Sequence, residues 1–411
     1  MTINDAELSG LRAEADRFCQ NPMFRRSLWR HLSPRSSATD VPAALDTTIH
    51  PDDQMLGHSL RHHGDAHVAV SQYFNVALQQ LRAMRQILDV FHPTLDQRFR
   101  FLDFACGYGR LIRLFSLLIP PDQITGSDIQ PDAVRFVEDR FGVRGVASDL
   151  DPARFSHGDH FDFIWVASLF SHLPENLFLG WLERLWTLLD QPSGVLCISV
   201  HDASLLPAGL KLPDTGILFG EGSEIPTLTP THYGTAYVSE SFVRAAVAQA
   251  TGGNAACLRI PKALAHEQDV YVITRQPEIA GLADFRRGPW GWVDERAIVS
   301  PNELYLRGWA ASLDDGPLDE VRIRIDGRLH HCETGQHRPD VGDAFGNPAL
   351  SLSGWEFRHP LAVATDKPYI EVSAQSADGE RALLYAGYPG RNAESKHENP
   401  ARSWLQRLLG Q

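Results

Sequence analysis

"FLDFACGYGR", residues 101–110, sets an apolar run against a turn with glycines at 107 and 109, and "RLIRLFSLLI" continues from its last residue as an apolar stretch of helical period. A short apolar run, a glycine turn and an apolar helix make a strand entering a helix at the rim of a parallel sheet. A dinucleotide fingerprint needs glycine at the first, third and sixth positions, and the sixth position from Gly107 is Ile112. A phosphate-binding P-loop ends in Gly-Lys-Ser/Thr, and the stretch has no lysine, serine or threonine. What remains is close backbone approach at Gly107 and Gly109 and a helix starting near Arg110, which suits a ligand with a carboxylate and a nucleoside but no phosphate. The steric alternative, glycines that merely allow a tight turn, stands beside it.

From 101 to 275 short β-type runs alternate with helices: "RFLDFA", "QITGSDI", "VRGVASD", "FDFIWVAS", "SGVLCISV" and "DVYVITR" read as strands, and "PDAVRFVEDRF", "ENLFLGWLERLWTLL" and "ESFVRAAVAQA" as helices. Helical connections of this length imply a parallel sheet covered on both faces, with the loops that carry ligand chemistry on one rim. Three acids fall near that rim. Asp103 lies inside the first strand, where a carboxylate is costly unless partnered. Asp128 ends the second strand and can accept two hydrogen bonds from a ribose diol; the alternative is a helix cap, although Pro131 and Asp132 already start that helix. Asp149 ends the third strand and can accept from an adenine amino group, with Ile129 and Leu150 packing on the ring; its alternative is a turn residue beside Pro152.

On these residues the segment 101–275 resembles the class I S-adenosylmethionine-dependent methyltransferase domain. "LDFACGYGR" matches its glycine motif, "GSDI" its ribose-binding strand end, "ASDL" the approach to adenine, and "FDFIWVASLFSHLPE" its fourth strand and following loop. The resemblance implies a Rossmann-like, seven-stranded, mostly parallel α/β sheet closed by an antiparallel hairpin. It implies S-adenosyl-L-methionine as cofactor, with the donor's amino-acid part among Asp103, Ala105, Gly107, Tyr108, Gly109 and Arg110. It further implies Ala167, Ser168 and Leu169 along the path toward the methyl group, His172 as a site-lining residue that shapes the following loop or the donor pocket and not as the base, and Tyr73 over the donor; ordinary helix packing is the alternative for Tyr73.

Methyl transfer to a carbon or hydroxyl acceptor usually also needs a base. The stretch 201–239 is too long for an ordinary rim loop and holds His201 and Asp202, then His232, Tyr233 and Tyr237, the catalytic candidates. A capping Asp202 and a His232 used in loop hydrogen bonding are the alternatives. No nucleophile stands in an elbow that would make a triad, and no metal is expected, because the histidines and acids show no tight ligand spacing.

Outside this segment the pattern changes twice. Residues 1–92 read as an N-terminal helical extension, in which Phe74, Ala77, Leu81, Met84, Leu88 and Phe91 form one apolar stripe. The catalytic segment then occupies 93–280, with the insertion at about 201–239. After "FRRGPWGWVD" the period becomes strand-like, and Asp326-Gly327 and Asp378-Gly379 mark hairpin turns, so 290–390 reads as an antiparallel β-sandwich. It resembles accessory β-domains attached to bacterial surface-glycan glycosyltransferases and methyltransferases, and Trp309 and Trp355 are either sugar-stacking surfaces or buried anchors. In the tail, 391–411, "SWLQRLLGQ" can form a short amphipathic helix that either docks on the protein or meets a partner.

A net charge of -13, from 38 Lys plus Arg against 51 Asp plus Glu, gives no basic field for nucleic acid. Five scattered cysteines fit neither a disulfide framework nor a zinc site and point to a reducing compartment. No secretory or transmembrane segment is read, so a cytoplasmic protein is expected. The reading favoured by these features is O-methylation of a sugar or glycan precursor. Methylation of a natural product or other small molecule, or a non-catalytic binding protein that keeps the fold, are the alternatives; a homo-oligomer is compatible with the sequence.

Overall fold

The chain begins with four helices, α1 (Asp5–Cys19), α2 (Pro22–Leu32), α3 (Gln54–His63) and α4 (Ala66–Phe91). Their starts follow from local chemistry. Asn4 and Glu7 form a reciprocal capping box on α1, and Asp53 accepts from Met55 and Leu56 N–H groups at the start of α3. The apolar stripe read from the sequence is buried along α4 from Phe74 to Phe91. The computed structural model describes residues 3–32, 41–222, 228–300, 302–361 and 367–390; the terminal "SWLQRLLGQ" lies outside them. Two compact units emerge, Gln79–Arg286 and a discontinuous one of Met1–Leu78 with Arg287–Gln411.

The first unit is built on a sheet of β1 (Phe101–Phe104), β2 (Ile124–Asp128), β3 (Arg144–Ala147), β4 (Phe163–Val166), β5 (Val195–Asp202), β6 (Ile217–Glu221), β7 (Gly234–Val238), β8 (Ala256–Leu264) and β9 (Gln268–Thr274). Pairing in the order β3-β2-β1-β4-β5 is parallel throughout, and β9 lies antiparallel between β5 and β8. Those seven strands are the expected set. Two more come from the 201–239 insertion: β6 and β7 form a hairpin, and β7 continues the sheet beside β5 at His201–Tyr237 and Asp202–Val238. Among the described residues the sheet therefore has nine strands. Between strands lie α5 (Ile112–Phe115), α6 (Pro131–Phe141), α7 (Glu175–Thr187) and α8 (Glu240–Thr251). The face that carries α7 and α8 is sealed by Leu102, Phe104, Ile164, Leu196 and Ile198 against Trp181, Leu185 and Val243. Each such fully buried side chain contributes about 1.5–3 kcal/mol. Parallel pairing brings the ends of β1, β2, β4 and β5 to one rim.

The second unit contains two four-stranded antiparallel sheets. One joins β10 (Pro289–Ser300), β11 (Glu303–Ser312), β12 (Gly316–Pro317) and, added later in the chain, β15 (Gly354–Pro360). The other runs β14 (Arg328–Glu333), β13 (Glu320–Ile325), β16 (Ile370–Gln375) and β17 (Arg381–Gly387), with a helix α9 (Pro339–Phe345) in the connection to β15. Asp326 and Gly327 both take positive φ, 49° and 87°, the conformation a two-residue hairpin turn requires. Trp309 and Trp355 are 2% and 0% exposed, so they are anchors of the sandwich and not sugar-stacking surfaces.

The N-terminal helices complete this sandwich, whereas the sequence reading set them apart from it. Val68 of α4 is buried in the sandwich core. Ser71 Oγ donates to the Ala386 carbonyl at 3.0 Å and accepts from its N–H at 2.9 Å, which covers part of edge strand β17. Asp65 pairs with Arg296, and Asn21 donates to the Tyr388 hydroxyl at 3.0 Å.

Candidate functional site

The tips of β1 and β2 are tied together by Asp128. It sits at the end of β2, 6% exposed, and each carboxylate oxygen accepts one backbone N–H: Oδ2 from Gly107 at 2.8 Å and Oδ1 from Gln130 at 2.9 Å. Asp128 is thus engaged in positioning the glycine turn, a role the sequence reading did not foresee, and the Gln130 side chain and the Ile129 N–H bond it as well. Burial pushes its pKa up, and these N–H bonds oppose the rise. Asp103, on β1 and 4% exposed, has its carboxyl pushed up to about 8 by burial and then by the neighbouring Asp128 charge, against the opposing pull of Arg110. A buried acid pair beside a turn is a setting that a cationic ammonium group relieves.

The two glycines have different reasons. A Cβ on Gly107, φ 52°, would meet nothing within 4 Å, which leaves the space in front of the turn open to a ligand. One on Gly109, φ 72°, would come within 2.7 Å of the Phe141 ring and 3.0 Å of Val137, so that glycine exists for packing against α6. The helix expected from Arg110 onward is only the four residues of α5, with turns before and after. Anion attraction by a helix N-terminus is therefore not available here. Ala105 shares the left-handed conformation, φ 59°. Tyr108 is buried, and its hydroxyl bonds Asp132 at the start of α6. Open space over Gly107, a two-sided acid at Asp128 and a buried acid at Asp103 together fit a nucleoside that bears an amino acid.

Asp149 closes an Asx turn on the Asp151 N–H at 2.9 Å, as in the alternative reading, and keeps its second oxygen within 3.9 Å of Arg154. Leu150 is 40% exposed and stands at the mouth of a groove of about 650 Å³ between the turn after β3 and α7, with Pro152, Leu177 and His232 in its walls. His232 is tied to Thr229, Nδ1 to Oγ1 at 2.6 Å.

At the tips of β4 and β5, Ser168 follows β4 with φ 61°. Its N–H donates to Ser199 Oγ at 2.7 Å, and both hydroxyls donate to Gln268 Oε1, at 3.1 and 2.7 Å. Gln268 Nε2 in turn lies 3.3 Å from His201 Nε2. That contact occupies the one nitrogen through which neutral His201 could take a proton. Burial first, and then His172, pushes the His201 imidazole down to about 3, so the ordinary titration near 6.5 does not belong to it. Asp202 is also engaged: it caps the turn at Ser204 N–H, 2.9 Å, and pairs with Arg259 at 2.9 Å.

His172 has a different environment. Its Nδ1 lies 2.6 Å from the Gly234 carbonyl, an anchor that makes Nδ1 the donor and leaves Nε2 as the basic nitrogen. Tyr233 stacks on its ring at 4.8 Å, and His201 crosses it edge-on at 5.9 Å. Tyr237, opposite His201 on β7, completes the ring cluster at 5.6 Å. The structure thus gathers His172, His201, Tyr233 and Tyr237, while His232 lines the groove. Ala167 and Leu169 flank Ser168 in the half-buried loop after β4. Tyr73 belongs to the other unit, where it is buried and donates to Asp53 at 2.8 Å.

Gln268 and Ser199 were not legible as site residues. "HEQDV" looks like a polar turn, and only the antiparallel return of β9 beside β5 places Gln268 among the strand ends. Among the described residues, no group of three or more His, Cys, Asp or Glu is arranged to hold a metal ion, and no helix is long and apolar enough to cross a membrane.

Residues 102–196 match the family model described as "Methyltransferase domain". A search of curated proteins finds no match. Solved structures with similarity include a TehB-like SAM-dependent methyltransferase from Corynebacterium glutamicum, 18% identical with a TM-score of 0.32, over 48% of this chain and 88% of that one. Another is an S-adenosylmethionine-dependent methyltransferase from Clostridium acetobutylicum, 12% identical, TM-score 0.34, over 48% and 91%. A third is CalS10, an amino pentose methyltransferase from Micromonospora echinaspora, 16% identical, TM-score 0.34, over 48% and 90%.

Proposed function

We propose that this protein, whose residues 102–196 match a methyltransferase domain, is S-adenosylmethionine-dependent and methylates a hydroxyl oxygen of a sugar or glycan precursor, with His172 as the base. The anchoring of His172 carries this reading: Nδ1 donates to the Gly234 carbonyl and the ring is stacked on Tyr233, so the basic nitrogen of the neutral ring is Nε2. The sulfonium methyl is already activated, so alignment supplies much of the acceleration. As the acceptor oxygen bonds to the methyl carbon, the carbon–sulfur bond breaks with its electron pair left on sulfur, and the hydroxyl proton passes to His172 Nε2.

The remaining residues align and shield. Asp128 and the Gly107 backbone hold the nucleoside, Asp103 takes the donor's ammonium, and the Ser168–Ser199–Gln268–His201 chain fixes the loop after β4 in its left-handed bend. The sugar assignment rests on the resemblance of residues 290–390 to β-domains attached to surface-glycan enzymes. The five cysteines form no disulfide, which fits a cytoplasmic enzyme. Incubating the protein with donor and a panel of nucleotide-sugars, lipid-linked glycans and phenols, followed by mass detection, tests the proposal. A methyl increment on a sugar hydroxyl supports it, and an increment confined to phenols or amines overturns the acceptor class.

A further inference from the structure

The groove of about 650 Å³ between the turn after β3 and α7 is lined, among the described residues, by neither the glycine turn nor the Ser168–Ser199–Gln268–His201 chain. Its volume is that of a small-molecule site. On α7 the lining runs from Asn176 to Thr187, so the groove follows the helix for about 16 Å. Two chain links tie one end of it to the proposed base. Asn176 comes four residues after His172, a reach of at most about 14 Å. His232, in the groove wall, precedes Tyr233, which stacks on the His172 ring at 4.8 Å.

The lining combines apolar surface with polar groups that the protein itself does not use. Leu150, Pro152 and Leu177 supply the apolar part. Asn176 and Glu183, two helical turns apart on α7, are exposed, and their side chains have no hydrogen bond or ion pair among the described residues. The other charged side chains of the lining are engaged. Asp151 accepts from the Ala153 N–H at 3.0 Å and lies 3.7 Å from Arg154, and Arg184 donates to the Phe155 carbonyl and reaches Thr187 Oγ1 at 3.4 Å.

This chemistry selects an occupant. One guanidinium against two carboxylates in the lining disfavours an anion. An acyl or prenyl chain laid over Asn176 and Glu183 would strip their water without replacing its hydrogen bonds, a cost that sugar hydroxyls avoid. Sugar rings also carry apolar C–H faces that can rest on Leu150, Pro152 and Leu177. We propose that this groove is a glycan subsite: it holds uncharged sugar residues of the acceptor beyond the one that meets His172, with Asn176 and Glu183 bonding their hydroxyls. The inference rests on the sugar reading above and adds that the acceptor is an oligosaccharide, longer than a single ring.

Binding of the labelled full chain to an array of neutral mono- to hexasaccharides, with phosphate-bearing counterparts, tests this. Saturable binding of neutral oligosaccharides is expected, above that of monosaccharides. Glu183→Ala should weaken it about tenfold or more, and Asn176→Ala about two- to tenfold. Asp122→Ala, an exposed acid outside the groove, should leave it unchanged. Retained S-adenosylmethionine binding shows that a variant is folded. Array binding is read without methyl transfer, so a failure of the groove is separate from a failure of the proposed chemistry, which the methyl increment reads. Absence of neutral oligosaccharide binding, preference for the phosphate-bearing counterparts, or equal affinity in the wild type and both folded groove variants overturns the proposal.

Discussion

At the tips of β1 and β2, Asp128 collects backbone N–H groups of Gly107 and Gln130 on its two oxygens, whereas at the tips of β4 and β5 Ser168, Ser199, Gln268 and His201 bond to one another. The proposed donor end is a local device: a glycine turn and an acid separated by one strand-helix-strand unit. The proposed acceptor end is assembled from the loop after β4, the end of β5, the inserted hairpin and the start of β9. The first end is the proposed seat of the donor, and the second holds in shape the loop that carries the proposed base, His172.

The largest effect that separates the two ends belongs to His172. His172→Gln should slow methyl transfer by roughly 100- to 10,000-fold in single turnover, with donor affinity unchanged. His201→Gln should slow it far less, because the amide can still face Gln268 and the imidazole it replaces does not titrate near neutrality. The opposite ranking would break the assignment of roles at the acceptor end.

A second effect, purely on binding, belongs to the donor end. The free carboxyl of Asp103 holds its proton up to about pH 8. An incoming ammonium favours the carboxylate, so binding below that pH releases a proton, and donor affinity should rise by at most about tenfold per pH unit up to about 8. Titrations in buffers of different ionisation enthalpy count the released proton. A flat profile from pH 6 to 8 would detach Asp103 from the ammonium.

The smallest effect sharpens the contrast between the two glycines. Gly109→Ala should lower stability by about 1–3 kcal/mol through its clash with Phe141. Gly107→Ala, with open space around its Cβ, should lower stability by only about 1–2 kcal/mol from its left-handed backbone and should act mainly on donor affinity. Thermal unfolding with and without donor separates the two.

What the sequence revealed follows the same division. β1 to β5 were legible because each is a short apolar run between a glycine or proline signal and an amphipathic helix, and Asp128 was legible because it ends such a run before Pro131. Neither Asp128's hold on Gly107 nor the packing role of Gly109 could be read, since the first depends on how β1 pairs with β2 and the second on where α6 returns. At the acceptor end His201 and Asp202 looked like a base and its partner because they are adjacent. Chain adjacency hid that Gln268, 67 residues later, faces one and Arg259 pairs with the other. In the other unit, the alternation of β13 was plain, but nothing local announced that α2 would lie over its polar face.

Calorimetric titration of S-adenosylmethionine into the wild type and Asp128→Ala, with NAD as comparator, tests the donor site most directly. Loss of the carboxylate removes the ribose acceptor and releases Gly107, interactions of about 1.5–3 kcal/mol each, so affinity should fall on the order of 100-fold or more. NAD should bind far more weakly than S-adenosylmethionine, since Ile112 stands where a dinucleotide turn needs glycine. Equal S-adenosylmethionine affinity in the wild type and a folded Asp128→Ala protein, or tight binding of NAD, would contradict the account.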